Sequence, residues 1–354
     1  MKKNNILYVL LIIIIAGVFG YTIYKHFNEE NNENIPYNIY NDIIEVDDGY
    51  VVVGSNDYKY VEGELLVQGQ VIKYDKDLKI VKKSNYNEEN KGIFLTKIIK
   101  TNDGYIATGS ILSELPIKSI MIKLDNDLNI VKKEYLSELN TTVALQIVKE
   151  NDNYLILCRT LDRVQNDEFT NEHNIIYKID SDLNIIEKHS YKEEYIFDNI
   201  YILDNSYLLT GNNGIQVIIA EISKENYEII SSDKVGKEFY YVDDNYFYNN
   251  KLYNKDEVYD LETKEIINFD KNNLFDNNIL LVDNDVIYTS HFERNSDESQ
   301  SLYLYDLNMN KIKEYKTKIE YIRKIIIYDD KILILGSNTG NDNGVEPILK
   351  YIEK

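Results

Sequence analysis

His173 and His291 are the residues of this chain whose type and neighbours best suit them to chemistry. His173 follows Asp167, Glu168 and Glu172, and His291 precedes Glu293 and Arg294. Imidazole titrates near neutral pH, and a carboxylate beside it can orient it as a general base or as a metal ligand. Two histidines from separate segments could also share one ion. Neither stands in a His-x-His or HExxH spacing, so chance placement is the simpler reading, and neither a metal nor a cofactor is expected. His26 flanks an apolar N-terminal run, and His189 lies in a run laced with Lys and Glu. No Gly-rich phosphate loop, GxSxG elbow or Cys/His cluster occurs. Paired carboxylates for glycosidic chemistry stay open, because 60 acids make some pairs by accident.

Other recurring polar residues have plainer readings. Three turns, Asp75-Lys76-Asp77, Asp125-Asn126-Asp127 and Asp180-Ser181-Asp182, tempt a calcium assignment. Each runs straight into a Lys-bearing strand, without the further oxygens, glycine and late bidentate Glu of a calcium loop. Asp also caps tight turns through its own carboxylate, and that is the expectation here. Lys73, Lys123, Lys178 and Lys350 recur at one place in the pattern. A ring of them could grip an anion, but lysines alternating with apolar neighbours more simply snorkel at a sheet surface. The single cysteine, Cys158 in YLILCRT, shares a period-two face with Tyr154 and Ile156 and reads as a packed small hydrophobe.

The elements that position these residues repeat. An apolar run, a tight acidic turn and a second apolar run recur seven times after Asn41, most clearly as NDIIEVDDGYVVVGS, TKIIKTNDGYIATGS, LQIVKENDNYLILCRT and RKIIIYDDKILILGS. Two further strand-like runs usually follow. The first two runs are almost continuously apolar, as strands buried on both faces must be, and the fourth carries Lys and Glu, as an outer edge should. Units of roughly 40 to 55 residues with four such runs match a β-propeller blade. Helical solenoids would need a 3.6-residue period that is absent. The fifth unit, with FYYV as its first run and NYFYNN as its second, is the most degenerate. The seventh stops at PILKYIEK without a fourth run, and residues 35–40 (IPYNIY) have no partner of their own, so they are expected to supply that strand and close the ring.

The N-terminal segment is of another material. Ile6 to Tyr24 carries no charge, and its residues Ile6, Leu11, Ile15, Val18 and Tyr24 belong to one apolar helix about 28 Å long at ~1.5 Å per residue, close to a bilayer's hydrocarbon thickness of ~30 Å. Lys2 and Lys3 precede it, so positive-inside logic puts the tip in the cytoplasm and the remainder outside. Val18-Phe19-Gly20 is a poor cleavage site, which favours an uncleaved anchor over a signal peptide that would release a secreted protein. No cysteine lies near enough for a lipoprotein. The chain's 39 basic residues include Lys2, Lys3 and Lys25, and none of its 60 acids falls in residues 1–27, so the rest carries 36 against 60, a formal −24. So acidic a body would repel nucleic acid and anionic lipid. The expected organisation is a cytoplasmic tip and anchor over 1–27, a linker and closing strand over 28–40, and a propeller over 41–354.

The phrase (D/N)GY(I/V)xxGS followed by (I/M)IKxDxDLxIVKK resembles repeats of bacterial extracytoplasmic β-propellers in the WD40-like and YVTN-like collection, over residues 41–353 in seven pieces. That resemblance implies an all-β, seven-bladed propeller of four-stranded antiparallel blades, here preceded by one transmembrane helix. It implies no single activity, because the collection includes binding scaffolds, lyases and quinoproteins. The Trp-Asp ending, Gly-His start, double-Gly kelch signature and tryptophan docking motif of named groups are missing.

Within each blade the short acidic turns lie on one side, and the segments 56–68, 110–117, 160–172, 292–300 and 337–345 lie on the other as long irregular loops. Variable loops on a rigid scaffold are where binding usually resides. The expected function is therefore a membrane-anchored, extracytoplasmic binding or assembly module whose long-loop face, with Asp167, Glu168, Glu172, His173, His291, Glu293 and Arg294, meets a protein, peptide or envelope component. The alternative is a propeller-fold hydrolase or lyase acting on envelope or extracellular glycans.

Overall fold

The computed structural model describes residues 38–61, 64–88, 91–111, 117–136, 141–164, 168–191, 196–212, 217–235, 246–253, 257–268, 277–291, 299–308, 310–339 and 345–354. The apolar run 6–24, and with it the expected anchor, lies outside them. Among the described residues no helix is long and apolar enough to cross a membrane.

Those residues form seven antiparallel sheets, each built from strands consecutive in the chain. The first holds β1 (Ile39–Val46), β2 (Gly49–Val61), β3 (Glu64–Asp75) and β4 (Ile80–Tyr86). The second holds β5 (Ile93–Lys100), β6 (Gly104–Ile111), β7 (Lys118–Asp125) and β8 (Ile130–Tyr135), and the third β9 (Thr141–Glu150), β10 (Asn153–Val164), β11 (Glu168–Ile179) and β12 (Ile185–Tyr191). The fourth is β13 (Phe197–Ile202), β14 (Ser206–Asn212), β15 (Val217–Ser223) and β16 (Ile229–Val235). The fifth is β17 (Tyr246–Tyr248), β18 (Lys251–Tyr253), β19 (Glu257–Asp260) and β20 (Ile266–Asn268). The sixth is β21 (Asn277–Asp283), β22 (Val286–His291), β23 (Gln300–Asp306) and β24 (Lys311–Ile319). The seventh has three strands among the described residues, β25 (Tyr321–Ile327), β26 (Lys331–Thr339) and β27 (Val345–Glu353). The chain divides into two compact units, Met1–Ile200 and Tyr201–Lys354.

Two expectations shift. Ile39 and Tyr40, assigned from sequence to a closing strand, begin β1 and pair with Ser55 and Gly54 of β2. Residues 35–37 of that segment lie outside the described ones. In the fifth sheet NYFYNN is the first strand and not the second, because Asn249 and Asn250 both take positive φ (47° and 58°) and turn the chain directly into β18. Paired positive φ is what a two-residue hairpin requires, and Asn tolerates it. FYYV lies outside the described residues.

The core is made between consecutive sheets. In the first unit Val51, Val53 and Val71 of the first sheet pack with Ile93, Leu95 and Ile98 of the second. Ile106 and Met121 pack with Tyr154, Ile156 and Cys158 of the third. In the second unit Leu208 and Ile219 meet Leu252 and Tyr259, and Tyr253 meets Ile287 and Tyr305. Burying each such side chain is worth about 1.5–3 kcal/mol. The repeated phrase is a demand of this packing. A Cβ on Gly109 would stand 2.1 Å from the Phe94 carbonyl oxygen, where β5 bulges at Thr96. One on Gly104, at φ 156°, would stand 2.0 Å from that of Leu124.

Polar clips join neighbouring sheets at equivalent places. Fully buried Asn174 of β11 donates to the carbonyls of Cys158 (3.1 Å) and Phe197 (2.8 Å) and accepts the Phe197 N–H (2.7 Å). Ser119 of β7 donates to Thr142 (2.9 Å), and Gln300 of β23 accepts from Ile322 (2.7 Å). Buried Asp42 caps its own neighbour Ile43 and accepts the Ile98 N–H of β5 (3.1 Å).

Candidate functional site

Two of the segments expected as irregular loops are ordered hairpins. β1 pairs with β2 no further than Ser55, and β4 pairs with β3 back to Gly69. Beyond those points β2 and β3 pair only with each other among the described residues, out to Val61 opposite Glu64. β10 and β11 do the same past Leu161, out to Val164 opposite Glu168. In the first arm the strand-like runs YKYV and LLV flank the turn-forming stretch Glu62-Gly63-Glu64, which is a hairpin pattern. Two-stranded ribbons of this kind are marginal alone.

The sequence-predicted site residues that the structure describes fall in different blades. Glu168 opens β11; Glu172 and His173 lie on it, His173 opposite Thr160. His291 ends β22 opposite Ser301, in the second unit. Asp167, Glu293 and Arg294 lie outside the described residues. Glu172 is not a free acid: it accepts a hydrogen bond from Arg159 Nε. The Arg159 Nη1 also lies 3.6 Å from Asp198 of β13, and both side chains are only 10% exposed. One guanidinium between two carboxylates ties the base of the second hairpin to the next sheet. Its charges are spent on each other, so it orients structure and offers no nucleophile or base. Sequence reasoning missed Arg159 and Asp198. The signal was Arg159 itself, standing where the repeated phrase has Ser55 and Ser110.

The short turns account for the acids and lysines. Asp125 Oδ1 accepts the N–H groups of Asp127 (2.9 Å) and Asn129 (2.8 Å), and its Oδ2 takes the Asn129 side-chain amide (2.9 Å). Asp180 and Asp306 repeat the arrangement with Asn184 and Asn310. Leu78, Leu128 and Leu183 take positive φ (61°, 59° and 63°) at the same step. These are turn caps, as expected. The Asn129 amide and backbone hold Asp125 below the usual carboxylate range. No cluster of three or more metal-binding side chains occurs among the described residues.

Three of the recurring lysines lie against acids and the fourth against a backbone carbonyl. Lys73 meets Asp48 at 2.8 Å. Lys123, 6% exposed, bridges Asp103 of its own blade (2.9 Å) and Asp182 of the next (2.7 Å), which raises its pKa. Lys178 lies 3.6 Å from Glu187, and Lys350 donates to the Thr317 carbonyl. Cys158 is fully buried, and burial pushes its thiol well up, so it is inert packing, as expected.

Comparison with known proteins bears on the fold. No protein-family model and no curated protein matches the chain. Solved structures do. The Pyrococcus horikoshii acylaminoacyl peptidase aligns with a TM-score of 0.53 at 12% identity, over 90% of this chain and 52% of that one. A puromycin-hydrolyzing peptidase of Mycobacterium tuberculosis aligns with 0.55 at 10%, again over 90% and 52%. The Dos1 propeller aligns with 0.50 at 12%, over 81% and 76%. The fold is a β-propeller. Its seven sheets are the blades, antiparallel and four-stranded except the last. The chain spans about half the length of the two peptidases, and at these identities the likeness speaks for fold alone.

Proposed function

We propose that this chain is a non-enzymatic binding or assembly module, held at a membrane by residues 6–24 with the propeller outside the cytoplasm, and that the β2–β3 and β10–β11 hairpins receive a protein, peptide or envelope component. The observation that carries this reading is the pair of two-stranded arms reaching past their own sheets. An arm without flanking strands offers backbone donors and acceptors on both sides, the means by which sheets add a partner strand. The Arg159–Glu172–Asp198 network supports it, because it stiffens the base of one arm without supplying a reactive group. Peptidase activity is not carried over from the structural neighbours.

The test compares the full chain, expressed in its membrane, with variants in which residues 57–66 or 162–171 are replaced by a two-residue turn. Crosslinking and mass spectrometry should recover a component with the intact chain that either variant loses, while the melting temperature stays near that of the parent. Alkaline extraction should leave the full chain in the membrane fraction. Cleavage of envelope glycans by the purified chain, surviving removal of both arms, would replace this reading with the hydrolase or lyase one.

A further inference from the structure

Glu221 is where the lysine pattern breaks. Lys123 pairs with Ile106 two residues before Asp125, which faces the first residue of β6, Gly104. Glu221 pairs with Leu208 two residues before Ser223, which faces the first residue of β14, Ser206. The two positions are equivalent. Their surroundings correspond as well. Asp182, which holds Lys123, gives its N–H to the turn carboxylate Asp180 (2.8 Å), and Glu262 gives its N–H to the turn carboxylate Asp260 (3.0 Å). Between the second and third blades, then, an ammonium sits between carboxylates. Between the fourth and fifth the acid of the following blade is kept, the ammonium is gone, and a second carboxylate stands where its stem ran.

The place is open. Glu221 and Glu262 line a cavity of about 200 Å³ within the second unit, walled by the aliphatic side chains of Leu203, Leu208, Ile219 and Leu261. The lysine on its lining, Lys264, lies 3.1 Å from Asp233. Burial opposes ionisation of Asp233, but hydrogen bonds from Lys264 and Tyr259 hold it below the usual carboxylate range. Lys264 is therefore committed, and Glu221 is met by a neutral donor, the Ser206 hydroxyl at 2.6 Å.

We propose that this cavity binds a primary alkylammonium group, carried by a free amine or by the lysine side chain of a polypeptide. Glu221 and Glu262 receive the ammonium as Asp103 and Asp182 receive Lys123, and the aliphatic wall covers the methylene stem, as apolar surface covers lysine stems generally. A divalent metal fits poorly, because hard cations take six or more oxygens, the Asp233 carboxylate on the lining is already taken by Tyr259 and Lys264, and four of the lining side chains are aliphatic. The site lies at the short-turn end of its blade, in the second unit, and its test does not depend on the arms of the first.

Titration of the full chain in detergent, followed by calorimetry, tests this with n-butylammonium, butan-1-ol, tetramethylammonium and calcium, and with Nα-acetyl-lysine amide for the polypeptide-borne source. Butylammonium should bind saturably at one site; butanol and tetramethylammonium should not. Glu221→Lys restores the built-in cation, so it should weaken butylammonium by about tenfold or more and raise the melting temperature. Should that variant fold poorly, Glu262→Gln, at an exposed turn, should weaken binding in the same direction. Comparable binding of the lysine amide assigns the site to a polypeptide lysine, and its exclusion assigns it to a free amine; both support the proposal. Absence of saturable butylammonium binding, binding unchanged in both variants, or displacement by calcium would overturn it.

Discussion

Asn174→Ala probes how the blades are held together. The side chain is fully buried and makes three hydrogen bonds, two to backbone groups of Phe197 in the next blade and one to Cys158. A net hydrogen bond is worth about 0.5–1.5 kcal/mol, and a buried group left unpaired costs about 1–3 kcal/mol. The truncation strands a buried N–H and two carbonyls, so a loss of about 2–4 kcal/mol is expected. For a unit of this size each kcal/mol lowers the melting temperature by about 2–4 °C, so the variant should melt roughly 5–15 °C lower. Urea unfolding by circular dichroism gives the free energy, and amide exchange at Phe197 reports whether the lost bond is the cause. Asn174→Asp keeps the acceptor for the Phe197 N–H but turns carboxylate oxygens toward two carbonyls, and should be worse at neutral pH. A loss under about 0.5 kcal/mol, or unchanged protection at Phe197, would refute the clip as a stabilising device.

Lys123→Met keeps the stem and removes both ion pairs; because Asp103 and Asp182 are largely exposed, the expected cost is only about 1–2 kcal/mol by urea unfolding, shrinking in 1 M salt. Gly109→Ala forces a Cβ against the Phe94 carbonyl and should cost about 2 kcal/mol or more, whereas Cys158→Ala, at the equivalent place in the third blade, loses only packing. Asp125, Asp306 and Asp103 are each held below the usual carboxylate range by hydrogen bonds, to Asn129, Asn310 and Lys123 respectively. Their contribution to stability is therefore present above an ordinary unfolded-state pKa of about 3.9 and disappears as pH falls through the lower folded-state values, so the urea midpoint should drop steeply below about pH 4 and Asp125→Asn should blunt that drop.

Much of the scaffold was legible because each copy of the phrase states the same packing problem. GYIATGS reads as a second strand since both its glycines face backbone oxygens, and the Asp-x-Asp-Leu turns read as caps since the carboxylate has local N–H groups to take. The fifth blade is harder to phase, because Asn249-Asn250 resembles the end of a strand and only its φ angles mark it as a hairpin turn. Segments 56–68 and 160–172 read as loops because they are long and polar and show no clear period, and only their pairing reveals them as hairpins. Site chemistry was harder. Arg159 and Asp198 meet only through the stacking of one blade on the next, and no local pattern marks that contact. Glu221 is visible as a departure from the lysine series, yet its meaning depends on an opening beside Leu208 and Ile219 that composition does not reveal.

Residue-resolved hydrogen exchange on the full chain tests the central claim most directly, which is that a repeated rigid scaffold carries function where its copies depart from one another. The account predicts slow exchange through β6, β14, residues 50–55 of β2 and residues 154–161 of β10, with fast exchange in the arms beyond them until a partner is added. Protection running undiminished to the tips of both arms, or second strands that exchange as freely as the arms, would contradict it.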